Sequence, residues 1–293
     1  MIRPAFSQRS AASAAPSHAV RRAGFARPAA VALGLVAALV LGAWAARDTL
    51  PARRALAEAG HLDSQLILAR RLEAERPGPA DLVAASRYWR MAAQAGDVGA
   101  MKRIGTMYYR GDGVRQAPSL ALGWLRRAGL AGDRDAQVLV AYCYHTGHGG
   151  PRDLPEARRW YARAAAQGDV GAMLALAYLY QGGDGHPQDP GVAIQWYGMA
   201  AERGSAAAQF HLGVIHEEGR GVPAEPLEAY KWYALAAEQR HQLAADGMAY
   251  LQEKLSKPQV QAAQRRVRDW KKRHGDAAVR VGPAGDVPGS PSA

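Results

Sequence analysis

The sequence predicts an all-α protein. Antiparallel helix pairs, about five repeats of 36 residues, form an α-solenoid, a right-handed superhelix, behind one N-terminal transmembrane helix. Three observations carry that reading. An aromatic column of Tyr88, Trp124, Trp160, Trp196 and Trp232 recurs every 36 residues. Columns of alanine and of paired glycine recur in phase with it, so a whole structural unit repeats. A single uncharged run, residues 28–46, lies ahead of the repeats between Arg27 and Arg47.

The net charge is +11 over 293 residues, and the excess sits at the two ends. Residues 1–27, a basic N-terminal tail, hold five arginines and no acid. Residues 242–274 hold eight Lys or Arg against three acids. The stretch between is close to balanced, so basicity alone is no argument for nucleic acid, which is not expected as a partner. The lone Cys143 excludes an intrachain disulfide framework. A chain without asparagine and rich in Ala, Arg and Gly points to a GC-rich bacterial genome.

Nineteen helical residues, 28–46, rise about 28 Å, close to the thickness of a hydrocarbon core. Leu33, Leu35, Val36, Leu39, Val40 and Leu41 give the run its apolar bulk, and Trp44 suits a headgroup boundary. Arg3, Arg9, Arg21, Arg22 and Arg27 favour a cytoplasmic N-terminus. The expectation is a single-pass protein of the bacterial inner membrane, with 28–46 in the bilayer, 47–61 as a juxtamembrane linker and the repeats in the periplasm. Two alternatives stand beside it. Ala43-Trp44-Ala45 resembles a signal-peptidase site, which would make the protein secreted, and Arg47, Arg53 and Arg54 weaken the charge asymmetry enough to allow the inverted topology. Gly34 and Gly42 leave room for close helix packing, and the oligomeric state is open.

Within a unit the first helix, A, carries Ala100, Ala136, Ala172 and Ala208, then Ile104, Val140, Leu176 and Leu212, then Gly105, Ala141, Ala177 and Gly213. Tyr108, Tyr144, Tyr180 and His216 follow, and the set makes one packed helical face. Two glycines, as in Gly111 and Gly113, then stop the helix and reverse the chain. Asp153, Asp189 and Glu225 are candidate caps of the second helix, B, and Pro118, Pro190 and Pro226 suit its first turn. Helix B is alanine-rich around the tryptophans, which are expected to fill the wedge between diverging helices. It ends at Gly96, Gly132, Gly168 and Gly204, and Asp97, Asp133, Asp169 and Ser205 cap the next helix A.

These residues resemble the Sel-one-like repeat (SLR) family, a 36-residue branch of the tetratricopeptide superfamily. Gly111-Asp112-Gly113-Val114 and Gly219-Arg220-Gly221-Val222 match its turn, while Gly150 and His186 replace valine in the middle repeats. The likeness covers residues 62–241 as five units. Leu62–Asp97 is a degenerate first unit, with Glu75-Arg76-Pro77 at its turn, and Arg240-His241 closes the array in place of Gly-Asp. Beyond it, 242–274 is read as capping helices, Gln242–Leu255 and Gln259–His274, with Ala263, Val267 and Trp270 facing the array. Residues 275–293 are read as a disordered tail.

Motifs for chemistry are sparse. His216-Glu217-Glu218-Gly219-Arg220 lacks the second histidine of a zinc-protease helix. His145 and His148, with Asp184 and His186 one repeat on, make no complete metal set. The glycine turns carry no phosphate-loop Lys-Ser/Thr, and Cys143 reads as a buried inert thiol. No cofactor, metal or catalytic residue is expected. Some subfamilies with paired cysteines have been linked to β-lactam binding, and one cysteine breaks that pattern.

Three helix A columns vary freely and fall at i, i+4 and i+7, one stripe. They are Lys102, Val138, Leu174 and Phe210; Thr106, Tyr142, Tyr178 and Val214; and Tyr109, His145, Gln181 and Glu217. The resemblance implies that helix A lines the concave face. The stripe, centred on Tyr142 and Tyr178, is then expected either to hold a partner protein or peptide or to pack one helix A on the next. The function expected is a non-catalytic, membrane-anchored adaptor. A cell-wall or β-lactam-related hydrolase and a secreted protein-binding effector are the alternatives.

Overall fold

The structure, a computed structural model, describes residues 49–74, 77–183 and 187–275. The expected transmembrane run, the tail 276–293 and the turn residues Asp184 and His186 lie outside the described residues. Met1–Arg53 and Arg54–Ala293 form two compact units, and the repeat array belongs to the second. Among the described residues there are thirteen helices and no strand. They are α1 (Leu50–Glu58), α2 (Leu62–Glu73), α3 (Pro79–Gln94), α4 (Val98–Arg110), α5 (Pro118–Leu130), α6 (Arg134–Thr146) and α7 (Leu154–Ala166). Then come α8 (Val170–Gly182), α9 (Pro190–Glu202), α10 (Ala206–Glu218), α11 (Pro226–Glu238), α12 (Gln242–Lys254) and α13 (Lys257–His274). From α2 on, even-numbered helices are A and odd-numbered ones B, each packed on its neighbours in the chain, which is an α-solenoid.

Every helix from α4 to α12 is 13 residues long. That length, about 20 Å, is set at both ends by side chains in register. Asp97, Asp133 and Asp169 accept from the amides of Ala100, Ala136 and Ala172 at 2.6, 2.8 and 2.8 Å, and the Ser205 hydroxyl accepts from Ala208 at 3.3 Å. Asp153 and Asp189 cap α7 and α9 through the amides of Glu156 and Val192. Glu225, expected to do the same for α11, makes no cap bond; its carboxylate instead lies 3.5 Å from Arg266. Each long turn is closed by its backbone: Ala117, Asp153, Asp189 and Glu225 donate to the carbonyls of Tyr108, Tyr144, Tyr180 and His216.

The array extends past the expected units at both ends. The linker expected at 47–61 contains α1, whose Ala57 carbonyl accepts from the buried Gln65 side chain at 3.0 Å. The same bond recurs two repeats apart, from Gln137 to Gly129 and from Gln209 to Ala201, with Met101 and Met173 in the alternate units. At the other end α12 begins as every helix A does: Arg240 takes φ 66° in the glycine column, and His241 Nδ1 accepts from Ala244. The capping helix α13 starts at Lys257, two residues earlier than expected, on a Ser256–Gln259 capping box.

The tryptophan column does not fill the wedge throughout. Trp160 and Trp232 are buried, but Trp124 and Trp196 are only half-buried. The next column, Trp89, Leu125, Tyr161, Tyr197 and Tyr233, is buried in every repeat. It points between helices A and B of its own unit. A Cβ on Gly213 would stand 2.4 Å from the Tyr233 ring, which accounts for a glycine there. The indoles lie outside this column under cations: Arg127 covers Trp124 at 4.5 Å, Arg163 covers Trp160 at 4.4 Å and Lys231 covers Trp232 at 3.9 Å.

Candidate protein-binding site

The twelve stripe residues lie on α4, α6, α8 and α10, and eleven are half-buried. Tyr178 is the exception at 46 % exposure, high for a tyrosine in the middle of a packed helix.

The first column packs along the array. Lys102 reaches from α4 to Asp135 of the next unit at 2.8 Å and to Asp133, which caps that unit's first helix, at 3.0 Å. Those two carboxylates raise its pKa against the effect of burial, and Lys102 holds the Asp135 carboxyl below the usual range. Phe210, the last member of the column, stacks on His241 at 4.6 Å. Val138, Leu174 and Val214 lean on the core, and Thr106 bonds back to the Lys102 carbonyl.

The third column answers to helix B. Gln181 accepts from the Tyr197 hydroxyl at 2.7 Å, and Glu217 accepts from Tyr233 at 2.6 Å. His145 meets Tyr161 edge-on at 6.3 Å. Each pair is separated by sixteen residues. In the second unit the sizes are exchanged, with Tyr109 on helix A and Leu125 on helix B. This column therefore varies to match the residue that reaches up beneath it.

Two aromatic groups result. In the middle units Tyr109 packs on His148 at 4.5 Å. Burial raises the Tyr109 pKa, and the neighbouring Tyr142 adds to the shift. In the last units Tyr178, Tyr197, His211, Phe210, His241 and Tyr233 form one continuous patch. The Tyr178 hydroxyl lies 2.9 Å from His211 Nε2, and the His211 ring stacks on Tyr197 at 5.0 Å. Burial, and secondarily His241, pushes the His211 pKa down to about 4, so it is a neutral imidazole at pH 7. An exposed phenol held by a neutral, stacked imidazole is a rigid amphipathic anchor, the kind of group that dominates binding at interfaces.

Sequence reasoning missed Tyr161, Tyr197, Tyr233, His211 and His241. The signal for the tyrosines was the Trp-Tyr pair of each helix B, read for its tryptophan alone. Neither histidine is marked by the repeat pattern, since Ile67, Arg103, Leu139 and Ala175 stand in the column of His211.

Other candidates resolve simply. Burial pushes the Cys143 thiol up to about 11, as for an inert core cysteine. His216 is half-buried in its tyrosine column, and burial lowers its pKa. Among the described residues no group of three or more His, Cys, Asp or Glu is placed to hold a metal ion, and no helix is long and apolar enough to cross a membrane.

The model of the Sel1 repeat matches five consecutive stretches, 62–97, 98–133, 134–169, 170–205 and 206–241. No curated protein matches the chain. Among solved structures, a Sel1 repeat protein from Oxalobacter formigenes is 30 % identical with a TM-score of 0.58, over 76 % of this chain and 65 % of that one. The chain thus spans just under two thirds of that relative's length. A protective antigen of uropathogenic Escherichia coli with an SLR fold is 19 % identical with a TM-score of 0.47, over 78 % of this chain and 72 % of its own. With five matched units in phase from Leu62 to His241, this chain belongs to the Sel1 repeat family, whose members generally serve as scaffolds for protein–protein interaction.

Proposed function

We propose that this protein is a non-catalytic adaptor of the bacterial inner membrane, anchored by residues 28–46, with its repeats in the periplasm. It holds a partner peptide or helix along the helix A stripe. The observation that carries the reading is Tyr178: 46 % exposed, yet fixed by His211 and Tyr197 in a continuous aromatic patch. A side chain already immobilised loses little entropy on binding, and a phenol offers both apolar area and a hydrogen bond. Tyr142 extends the anchor to the preceding unit.

The test replaces Tyr142 and Tyr178 with Ala together in the full chain. A photo-crosslinkable side chain at position 174, between them, is used to trap the partner in the cell envelope. The double variant is expected to keep its helical content and lose the crosslinked product at least tenfold. A product of unchanged yield from a folded double variant refutes the groove. A reporter active only outside the cytoplasm, fused after Ala293, tests the location separately. An inactive reporter on an intact chain would overturn the periplasmic placement and leave the groove standing.

A further inference from the structure

A second surface lies on the other helix row. The outer side of α3, the turn 111–117 and the start of α5 enclose a groove of about 1130 Å³. Its floor is apolar, with Ala84 flanked by Val83 at 58 % and Leu120 at 52 % exposure, among the most exposed apolar side chains of the described residues. Its rim is Arg87, Arg90 and Arg115, and no acidic side chain lines it. Arg87 has one distant ion pair, 3.7 Å from Glu58 with both groups exposed, and Arg90 and Arg115 have none among the described residues. The turn is a firm wall: a Cβ on Gly113 would lie 2.3 Å from the Leu82 carbonyl.

The repeats themselves show that this charge is one-sided. The positions of Ala84 and Arg87 are Glu156 and Arg159 in the third unit and Glu228 and Lys231 in the fifth, and both of those form ion pairs. Only the first unit keeps the cation and lacks the acid. The fifth unit also shows how an outer helix B face seats an amphipathic helix. There α13 brings Trp270 to Trp232 at 6.2 Å, and Arg266 reaches Glu228 at 3.0 Å. In α3 the charge of the seat is reversed, so what fits it carries carboxylates.

We propose that the α3–α5 groove docks an acidic amphipathic helix of another protein. Two or three apolar side chains would lie on Val83, Ala84 and Leu120, and Asp or Glu would meet Arg87, Arg90 and Arg115. This chain does not supply the occupant itself. Residues 1–27 contain no acid, and residues 276–293 contain two aspartates spread among glycine and proline. The groove is distinct from the helix A stripe, so the protein can hold two partners at once.

A random library of 16-residue peptides displayed on phage, selected against the full chain, tests this. Selection should enrich acidic peptides with apolar residues at helical spacing. By fluorescence anisotropy the winning peptide should bind at least tenfold more weakly to Arg87→Glu/Arg115→Glu and to Val83→Ser/Leu120→Ser, and equally well to Tyr142→Ala/Tyr178→Ala. All four groove positions are exposed, so their substitution should leave the fold intact by circular dichroism. A benzophenone amino acid in place of Leu120 should crosslink the peptide. The proposal fails if nothing is enriched, or if the enriched peptides carry no acidic excess. It fails equally if binding ignores Val83 and Leu120, or if it is lost with the tyrosines.

Discussion

The two ends of the array use the same positions for opposite purposes. At the first end the outer face of α3 is open, its arginines lack partners on the same helix, and Val83 and Leu120 meet solvent. At the last end the corresponding face of α11 is closed by α13. Ala263, Val267 and Trp270 are buried there, and Glu228 is shared between Lys231 and Arg266. The difference comes from the connection. Seven residues, 111–117, stand between α4 and α5 and occupy the gap, whereas only Leu255 and Ser256 join α12 to α13. A short connection lets the last helix fall directly on α11. A solenoid must end somewhere, and its terminal face must be covered; at the last end α13 does this, whereas the α3 groove lies open between the first and second units.

The contrast is broken most strongly at Trp270. Its ring is 2 % exposed between Trp232 and His274. Trp270→Ala should cost about 3–5 kcal/mol in urea unfolding and release α13, seen as faster amide exchange over 257–274. Val83→Ser, at the open end, should change stability by no more than about 0.5 kcal/mol. Comparable losses at both sites would mean that the α3 face is part of the core.

A titration sharpens the same comparison. The column that holds the exposed Ile67 in the first unit holds the half-buried His211 in the last. The folded pKa of His211, about 4, lies below the ordinary 6.5 because burial disfavours the imidazolium. Unfolding therefore takes up a proton between those values. The contribution is complete above pH 6.5 and is lost as pH falls towards 4, up to roughly 3 kcal/mol. Burial lowers the His241 pKa as well, so it acts in the same direction. Unfolding free energies measured from pH 7.5 to 4 should fall less steeply in His211→Gln than in the wild type. Parallel curves would show that the imidazole is solvated.

Much of this was legible in the sequence, for a physical reason. A repeat prints each packing position several times, so Asp97, Asp133 and Asp169 declare themselves as caps by recurrence, and Ala263, Val267 and Trp270 by helical spacing. What stayed hidden depends on pairs of columns. The stripe position of Gln181 and Glu217 looked freely variable because it was read alone; set against Tyr197 and Tyr233 it is one half of a contact. The tryptophans looked like wedge residues because of their size, yet the smaller side chain after them, Leu125 or tyrosine, points inward, and the indoles of Trp124 and Trp160 lie beneath Arg127 and Arg163. The α3 groove was invisible for another reason. It comes from what is missing at position 84, an acid that other units supply, and no pattern within a single repeat shows that.

The smallest test lies at the junction itself. Gly60 precedes the first unit with φ 97° and Arg240 closes the last with φ 66°. They share one column, and every member between them, Gly96, Gly132, Gly168 and Gly204, also has a positive φ. Arg240 is the only non-glycine residue with positive φ in the described structure, and a side chain there costs on the order of 1 kcal/mol. Arg240→Gly removes that strain, while the greater freedom of glycine in the unfolded chain offsets part of the gain. A net stabilisation of about 0.5–1 kcal/mol is expected in urea unfolding, with the near-ultraviolet signal of Trp232 and Trp270 unchanged. Loss of stability would instead assign the arginine a contact that fixes α12 in place. The last turn would then be held by its side chain, where the first is held by glycine alone.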